Sequence, residues 1–458
     1  MTASTARPRR RRAAGTGFAI FASLAVLALL AAACAGGGKR ATASAACDGR
    51  IGGRQDVTVW APDGSAEERA VLDNQVATFN QRSESNVQVK LVYVPEGQLM
   101  SRVASAADQG KLPDVLQIDG ALLPRLAWQG ELRPLFGCLN DDLKANLLPR
   151  ITEQGTWNDA LYGVGAYDAG LAMYARRSVL EANGLRVPTG LEDAWTSEET
   201  SKALATLAKA GFQRPLELHL GDTSSAWQAL AYAPIVYSAG GDLLDRGAGV
   251  SARGELDDPA VVKAMTEFQN WFSQGLVQQP DESSRGGDAF LDGGAAIAFG
   301  DQAKYAPYRQ KYKDDLVVMP PPDWGNGTRS GMGISAWTIT RDAGDGDAAW
   351  QFINFQLADD QVLETTGANG ALPATRSALA KSPQFADGAP MSFFLRELQD
   401  PTVAVPRPRT PAYPALAAAF QQAVADIADG EDPKSALHAA VGTIDADITA
   451  HEGYRPKQ

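Results

Sequence analysis

LYGVGAYDAGLAMYARRSVLEANG, residues Leu161–Gly184, places an acid between two apolar runs. Tyr162–Ala166 reads as a short strand and Leu171–Ala175 as a second, with a polar break at Asp168–Ala169–Gly170. A helix begins at Ser178 and stops at Asn183–Gly184, residue types that end helices. A carboxylate between two buried strands is costly unless it is hydrogen-bonded or reaches a cleft. With α/β patterning on both sides, the stretch is expected to cross between two lobes, with Asp168 facing the gap. An ordinary surface turn fits the same residues.

Upstream, Asp56–Trp60 (DVTVW) is a β-branched first strand that runs into Ala61-Pro62-Asp63-Gly64. Ser65 caps the helix that follows, with Glu67 and Glu68 in its first turn and Val71, Leu72, Val76 and Phe79 as its buried stripe. Asn86–Val94 alternates as a second strand and Gln98–Gln109 is a helix. Val115–Ile118 is a third strand ending at Asp119-Gly120, before a helix over Leu122–Gln129. This order predicts a parallel sheet with covering helices, and such sheets bind ligands at the carboxyl ends of their strands. Asp63, Asp119 and Asp168 each stand at such an end, which points to a polar cleft. Downstream the pattern restarts. Helices are expected over Ser197–Ala210, Trp227–Ser238 and Asp258–Gln274, and strands over Arg214–Leu220, Ala295–Phe299, Leu316–Met319 and Ile334–Thr340. A proline-rich extended run spans Pro406–Pro414, and two helices close the chain.

At 458 residues the chain is too long for one small core, so two lobes are expected. A mean hydropathy of −0.21 excludes a polytopic membrane protein. Net charge is −12, yet five arginines before residue 34 carry +5 with no acid, leaving −17 on the rest. So acidic a body argues against nucleic-acid binding. Residues 1–33 have the layout of a secretory signal, a basic start followed by the apolar Phe18–Ala33. They end in Leu30-Ala31-Ala32-Ala33-Cys34 and a glycine run, similar to a bacterial lipoprotein cleavage site with Cys34 acylated; simple signal cleavage nearby is the alternative. Residues 34–55 then serve as a linker. Cys47 and Cys138 are a candidate disulfide in an exported protein, or two isolated thiols. Three scattered histidines, His219, His438 and His451, argue against a metal site, and no cofactor is expected.

The ordered set of segments resembles the extracytoplasmic solute-binding proteins of ABC importers, specifically the large, maltose-binding-protein-like type that takes sugars. The segments are VTVWAPDGS, LPDVLQIDGALLPRLAWQGELRPL, the crossing LYGVGAYDAGLAMYARRSVLEANGL, GGAAIAFGDQAKYAPYR, SGMGISAWTIT, AAWQFINFQLADDQVLETTGANGALPATRSAL and RTPAYPALAAAFQQAVADIADGEDPKSAL. The resemblance implies a two-lobe α/β fold of the type II periplasmic-binding-protein kind, each lobe a mainly parallel sheet flanked by helices and joined by crossing strands. The first lobe would hold 56–165 and 335–373, the second 166–333 and 374–458. It further implies a monomer, exported and lipid-anchored outside the cytoplasmic membrane, that traps a sugar by hinge closure and hands it to a permease. Carried over by motif, the ligand contacts would be Asp63, Asp119, Asp168, Trp227, Asp301, Trp337 and Tyr413. Where many relatives have Gly-Pro-Trp this chain has Gly300-Asp301-Gln302, which implies a smaller or more polar ligand than a long maltooligosaccharide.

Carboxylates suit sugar hydroxyls and flat aromatics suit the apolar faces of the ring. Arg407 and Arg409 admit an anionic ligand, a solvated linker or an ion pair between lobes. A glycerol phosphate or polyamine ligand remains open on the same fold. No nucleophile elbow, zinc-protease motif or phosphate loop is present. Paired acids alone leave a secreted glycoside hydrolase as the less favoured alternative, and no enzymatic activity is expected.

Overall fold

The computed structural model describes residues 46–82, 86–220, 225–247, 249–278 and 288–455; the expected signal segment and Cys34 lie outside them. The first strand, β1 (Gln55–Pro62), pairs in parallel with β2 (Val87–Val94) and β3 (Val115–Asp119). The helix Ala66–Gln81 after β1 starts with a reciprocal cap, Ser65 accepting from the Glu68 amide and Glu68 from the Ser65 amide. β12 (Ser330–Thr340) lies antiparallel to β3, and β7 (Gly163–Ala169) antiparallel to β12. With β4 (Leu132–Arg133), β13 (Leu372–Pro373) and β14 (Ala404–Pro406), these make an eight-stranded sheet among the described residues. A second sheet has the order β11 (Leu316–Met319), β8 (Leu171–Arg176), β10 (Ile297–Asp301), β9 (Leu216–Glu217).

The two-lobe α/β architecture follows, but the sheets are mixed where mainly parallel ones were expected. The reason is topological: β7 carries the chain out of the first sheet and β12 brings it back, so the two passages must run in opposite directions. The expected break at Asp168 is also absent. Strand β7 continues through it, and a bulge sets Ala166 and Tyr167 opposite the single residue Ser335. Only Gly170 separates β7 from β8, and a Cβ there would stand 2.6 Å from Glu397 Oε2.

The first sheet buries Val59, Leu116, Ile118, Trp337 and Phe352 beneath its helices. The second is covered on one face by a core around Tyr232, Phe268 and Phe420 and on the other by Tyr174, Phe290 and Tyr308. Cys47 and Cys138 form a disulfide. Beside it, Asp347 at the start of the helix Gly346–Gln356 accepts from three successive amides, Asp48 at 2.9 Å, Gly49 at 3.1 Å and Arg50 at 3.3 Å. Residues at the end of the expected linker are thereby pinned to the first lobe. No described helix is long and apolar enough to cross a membrane.

Candidate functional site

The carboxyl ends of β1, β3 and β7 meet the start of the helix Ala66–Gln81. The bulge in β7 shifts side-chain parity there, so Tyr167 is partly buried at the cavity while Asp168 turns fully inward. Burial pushes the Tyr167 phenol well above its ordinary value, and the negative charges of Glu68, Asp301 and Asp119 add to the rise. Burial likewise raises Asp301, at the end of β10 in the second sheet; Glu68 adds to the rise and Lys304 opposes it. Acids of both lobes thus act electrostatically on the Tyr167 ring. Beside it opens a cavity of about 100 Å3 whose lining includes Gly64, Glu68, Gln117, Tyr167, Ser335 and Trp337.

Of the residues expected at the ligand, Trp337 lines this cavity, although it is 2% exposed and packs edge-on against Phe352 at 5.6 Å. The Asp301 side chain caps the Ala303 amide at 3.1 Å. Asp63 pairs with Arg69 at 2.6 Å. Asp119 takes a two-pronged bond from the buried Arg407 guanidinium at 2.6 and 2.5 Å, which realises the ion pair among the three expectations for Arg407. The expectation that Asp168 faces the gap is corrected: it is 2% exposed and accepts from Ala169 N at 2.9 Å, Gln154 Nε2 at 3.0 Å and Gly333 N at 3.1 Å. Burial raises it to about 7 despite these bonds. Tyr413 is corrected too. It begins the helix Tyr413–Ala428 rather than lying in an extended run, is 1% exposed, and holds its ring 5.7 Å from the Arg407 guanidinium carbon, so it offers no free stacking face. Trp227, on the helix Ser225–Ala239, is half-buried against the second-lobe core.

Sequence reasoning read Glu68 only as a helix-start acid and did not select Tyr167, Ser335 or Gln302. The Ser65-x-x-Glu68 spacing was legible, but that Glu68 and Tyr167 line one cavity depends on the bulge. Gln302 is 1% exposed and donates to the Asp168 carbonyl at 3.1 Å, tying the second lobe to the crossing strand. At the end of β9, His219 holds a positive φ of 54°, and its Nε2 lies 3.3 Å from the Tyr308 hydroxyl, which donates to Asp288 at 2.7 Å. Its buried ring, with Lys304 nearby, is lowered to about 4 and stays neutral near pH 7.

Among solved structures the chain is similar to the GacH receptor of Streptomyces glaucescens GLA.O, solved unliganded and with acarbose. Identity is 23%, coverage 88% of this chain and 100% of that one, and the TM-score 0.73. The cyclic α-maltosyl-1,6-maltose binding protein of Arthrobacter globiformis is 21% identical over 87% of this chain and 100% of its own, at a TM-score of 0.70. Maltose-bound MalE3 of T. maritima is 20% identical over 85% and 99%, at 0.73. Likeness at these identities establishes the fold. No curated protein sequence matches the chain. The model of one family, described as bacterial extracellular solute-binding protein, matches residues 74–391, and the chain belongs to that family.

Proposed function

We propose that the protein is the solute-capturing component of an ABC importer, and that its solute is a carbohydrate held between the lobes at Tyr167. The observation that carries this reading is the cavity in which the Tyr167 ring, the Glu68 carboxylate, Gln117 and Ser335 line one wall beside the ends of the first-sheet strands. The ring would cover an apolar sugar face while Glu68 and Asp301 accept hydroxyls. A micromolar affinity requires about 8 kcal/mol, within reach of a few such bonds and one ring. The fold neighbours solved with acarbose and maltose support the same class. Export, lipid attachment at Cys34, a monomeric state, lobe boundaries near residues 166, 334 and 374, and delivery to a permease on closure complete the proposal. No chemical step on the solute is proposed.

Isothermal calorimetry of residues 46–458 against mono-, di- and trisaccharides tests it, with spermidine and glycerol 3-phosphate alongside. One or a few sugars are expected to bind, and Tyr167→Ala to weaken them at least tenfold with the melting temperature held within a few degrees. The same carboxylates could take a polyamine, so binding of spermidine with silence on every sugar would replace the carbohydrate by a cation.

A further inference from the structure

Residues 135–138 (LFGC) form a turn that is held at both ends and carries one apolar ring at its tip. Leu135 is 2% exposed and its amide donates to the Leu161 carbonyl at 2.7 Å. The Cys138 amide closes the turn on the Leu135 carbonyl at 3.2 Å. Gly137 has a φ of 82°, as a type II turn requires of its third residue. A Cβ there would stand 2.9 Å from the Cys47 carbonyl oxygen, and Cys138 is bonded to Cys47. Phe136 is 80% exposed; Val250 and Ile51, the other large apolar residues exposed among the described ones, reach 50% and 37%. Because Leu135 and Cys138 fix the backbone, the Phe136 ring stays outside the core.

A lone exposed apolar side chain is common. What sets Phe136 apart is its place, on a turn bonded to the point where the chain enters the body. Cys34 lies thirteen residues before Cys47, a span of at most about 47 Å at 3.3–3.6 Å per residue. An acylated Cys34 therefore keeps the turn close to the bilayer surface and makes contact between the two an intramolecular event. One ring is too little to hold a free protein on lipid, but beside an acyl anchor it is a second signal. The exposed charges that flank Cys47 and Cys138 are mixed, Arg50 and Lys144 against Asp48, Asp141 and Asp142, so the surroundings do not favour anionic headgroups.

We propose that Phe136 is a membrane-contact residue, whose ring enters the headgroup region of the bilayer that holds the acylated Cys34 and seats the first lobe on the lipid surface. The inference rests on the lipid-anchor reading of Cys34 and goes beyond it.

The test uses the full lipid-bearing chain in phosphatidylcholine vesicles whose acyl chains carry bromine, a contact quencher of tryptophan. Phe136→Trp and, as a control on the second lobe, Val250→Trp each add one tryptophan to the nine present. Both positions are exposed, so both variants are expected to keep the wild-type melting temperature. Phe136→Trp should lose up to about a tenth of its emission beyond the wild-type loss, the share of one tryptophan in ten. Val250→Trp should lose none beyond it. Adding phosphatidylglycerol or 1 M NaCl should change neither result. Equal quenching of the two variants, or none beyond the wild type in either, overturns the proposal when the protein is on the vesicles. A benzoyl-phenylalanine in place of Phe136 that cross-links in cells to a membrane protein and not to lipid overturns it too, and assigns the turn to the permease. A full chain that does not float with the vesicles overturns the lipid-anchor reading, and this proposal with it.

Discussion

Replacing Arg407 with methionine should cost far more than the loss of an ordinary surface ion pair. The Arg407 and Asp119 side chains are 6% and 19% exposed, and the guanidinium meets both carboxylate oxygens at 2.5–2.6 Å. Exposed pairs contribute about 0–1 kcal/mol, whereas removing one member of a buried pair strands the other and costs about 3–5 kcal/mol. Arg407→Met and Asp119→Asn are each expected to fall in the second range. The double variant, with no stranded charge, should lose at least about 2 kcal/mol less than the sum of the two. Urea unfolding monitored by circular dichroism measures this as shifts of the midpoint at constant slope. Since solvent barely reaches the pair, 1 M NaCl should leave the losses nearly unchanged. Additive losses, or single losses under about 1 kcal/mol, would refute the reasoning. So would an Asp119→Asn variant that keeps full stability and loses only solute affinity, because Asp119 would then serve the ligand and not Arg407.

Asp168, raised to about 7 by burial, should make stability depend on pH. Its unfolded counterpart ionises near pH 4, so stability is full below that and declines until about pH 7, by about 4 kcal/mol for a shift of about three units. Asp168→Asn should flatten that decline and leave the part due to Glu397, also raised by burial; an unchanged pH profile in thermal melts would remove Asp168 as its source. Reducing the Cys47–Cys138 bond, which joins residues 91 apart, should lower stability by up to about 4–5 kcal/mol on the chain-entropy model without unfolding the protein, as read by melting with and without reductant. Gly346→Ala would place a Cβ 1.7 Å from the Ala46 carbonyl oxygen. It should free residues 46–52 to limited proteolysis while the rest of the chain resists; equal protection of that segment would show that the neighbouring backbone yields instead.

Much of the fold was legible because its signals are local. DVTVW, the Ser65-x-x-Glu68 cap and the strands before Asp119 follow from neighbouring residues, and β1, its helix and β3 lie where those residues place them. Asp168 was misplaced because the bulge opposite Ser335 reverses side-chain parity, and that depends on β12, more than 160 residues away in sequence. Arg407 and Asp119 are 288 residues apart, and Gln356 and Gln75 are 281 apart. Pairing at such separations leaves no periodic trace. Burial of Trp337 against Phe352 was similarly unreadable, because an aromatic in an apolar strand serves core and ligand face equally well.

The pinning of residues 46–50 has a mechanical consequence. A pull on the chain ahead of Ala46 would enter the body through the Cys47–Cys138 bond and the grip of Asp347, so β1 would not be drawn out from between β2 and β3. Force would pass directly into the first lobe, making it the fixed jaw. The second lobe, joined to it through the crossing strands, would be the lever free to swing, and its travel would be unaffected by strain on the chain end.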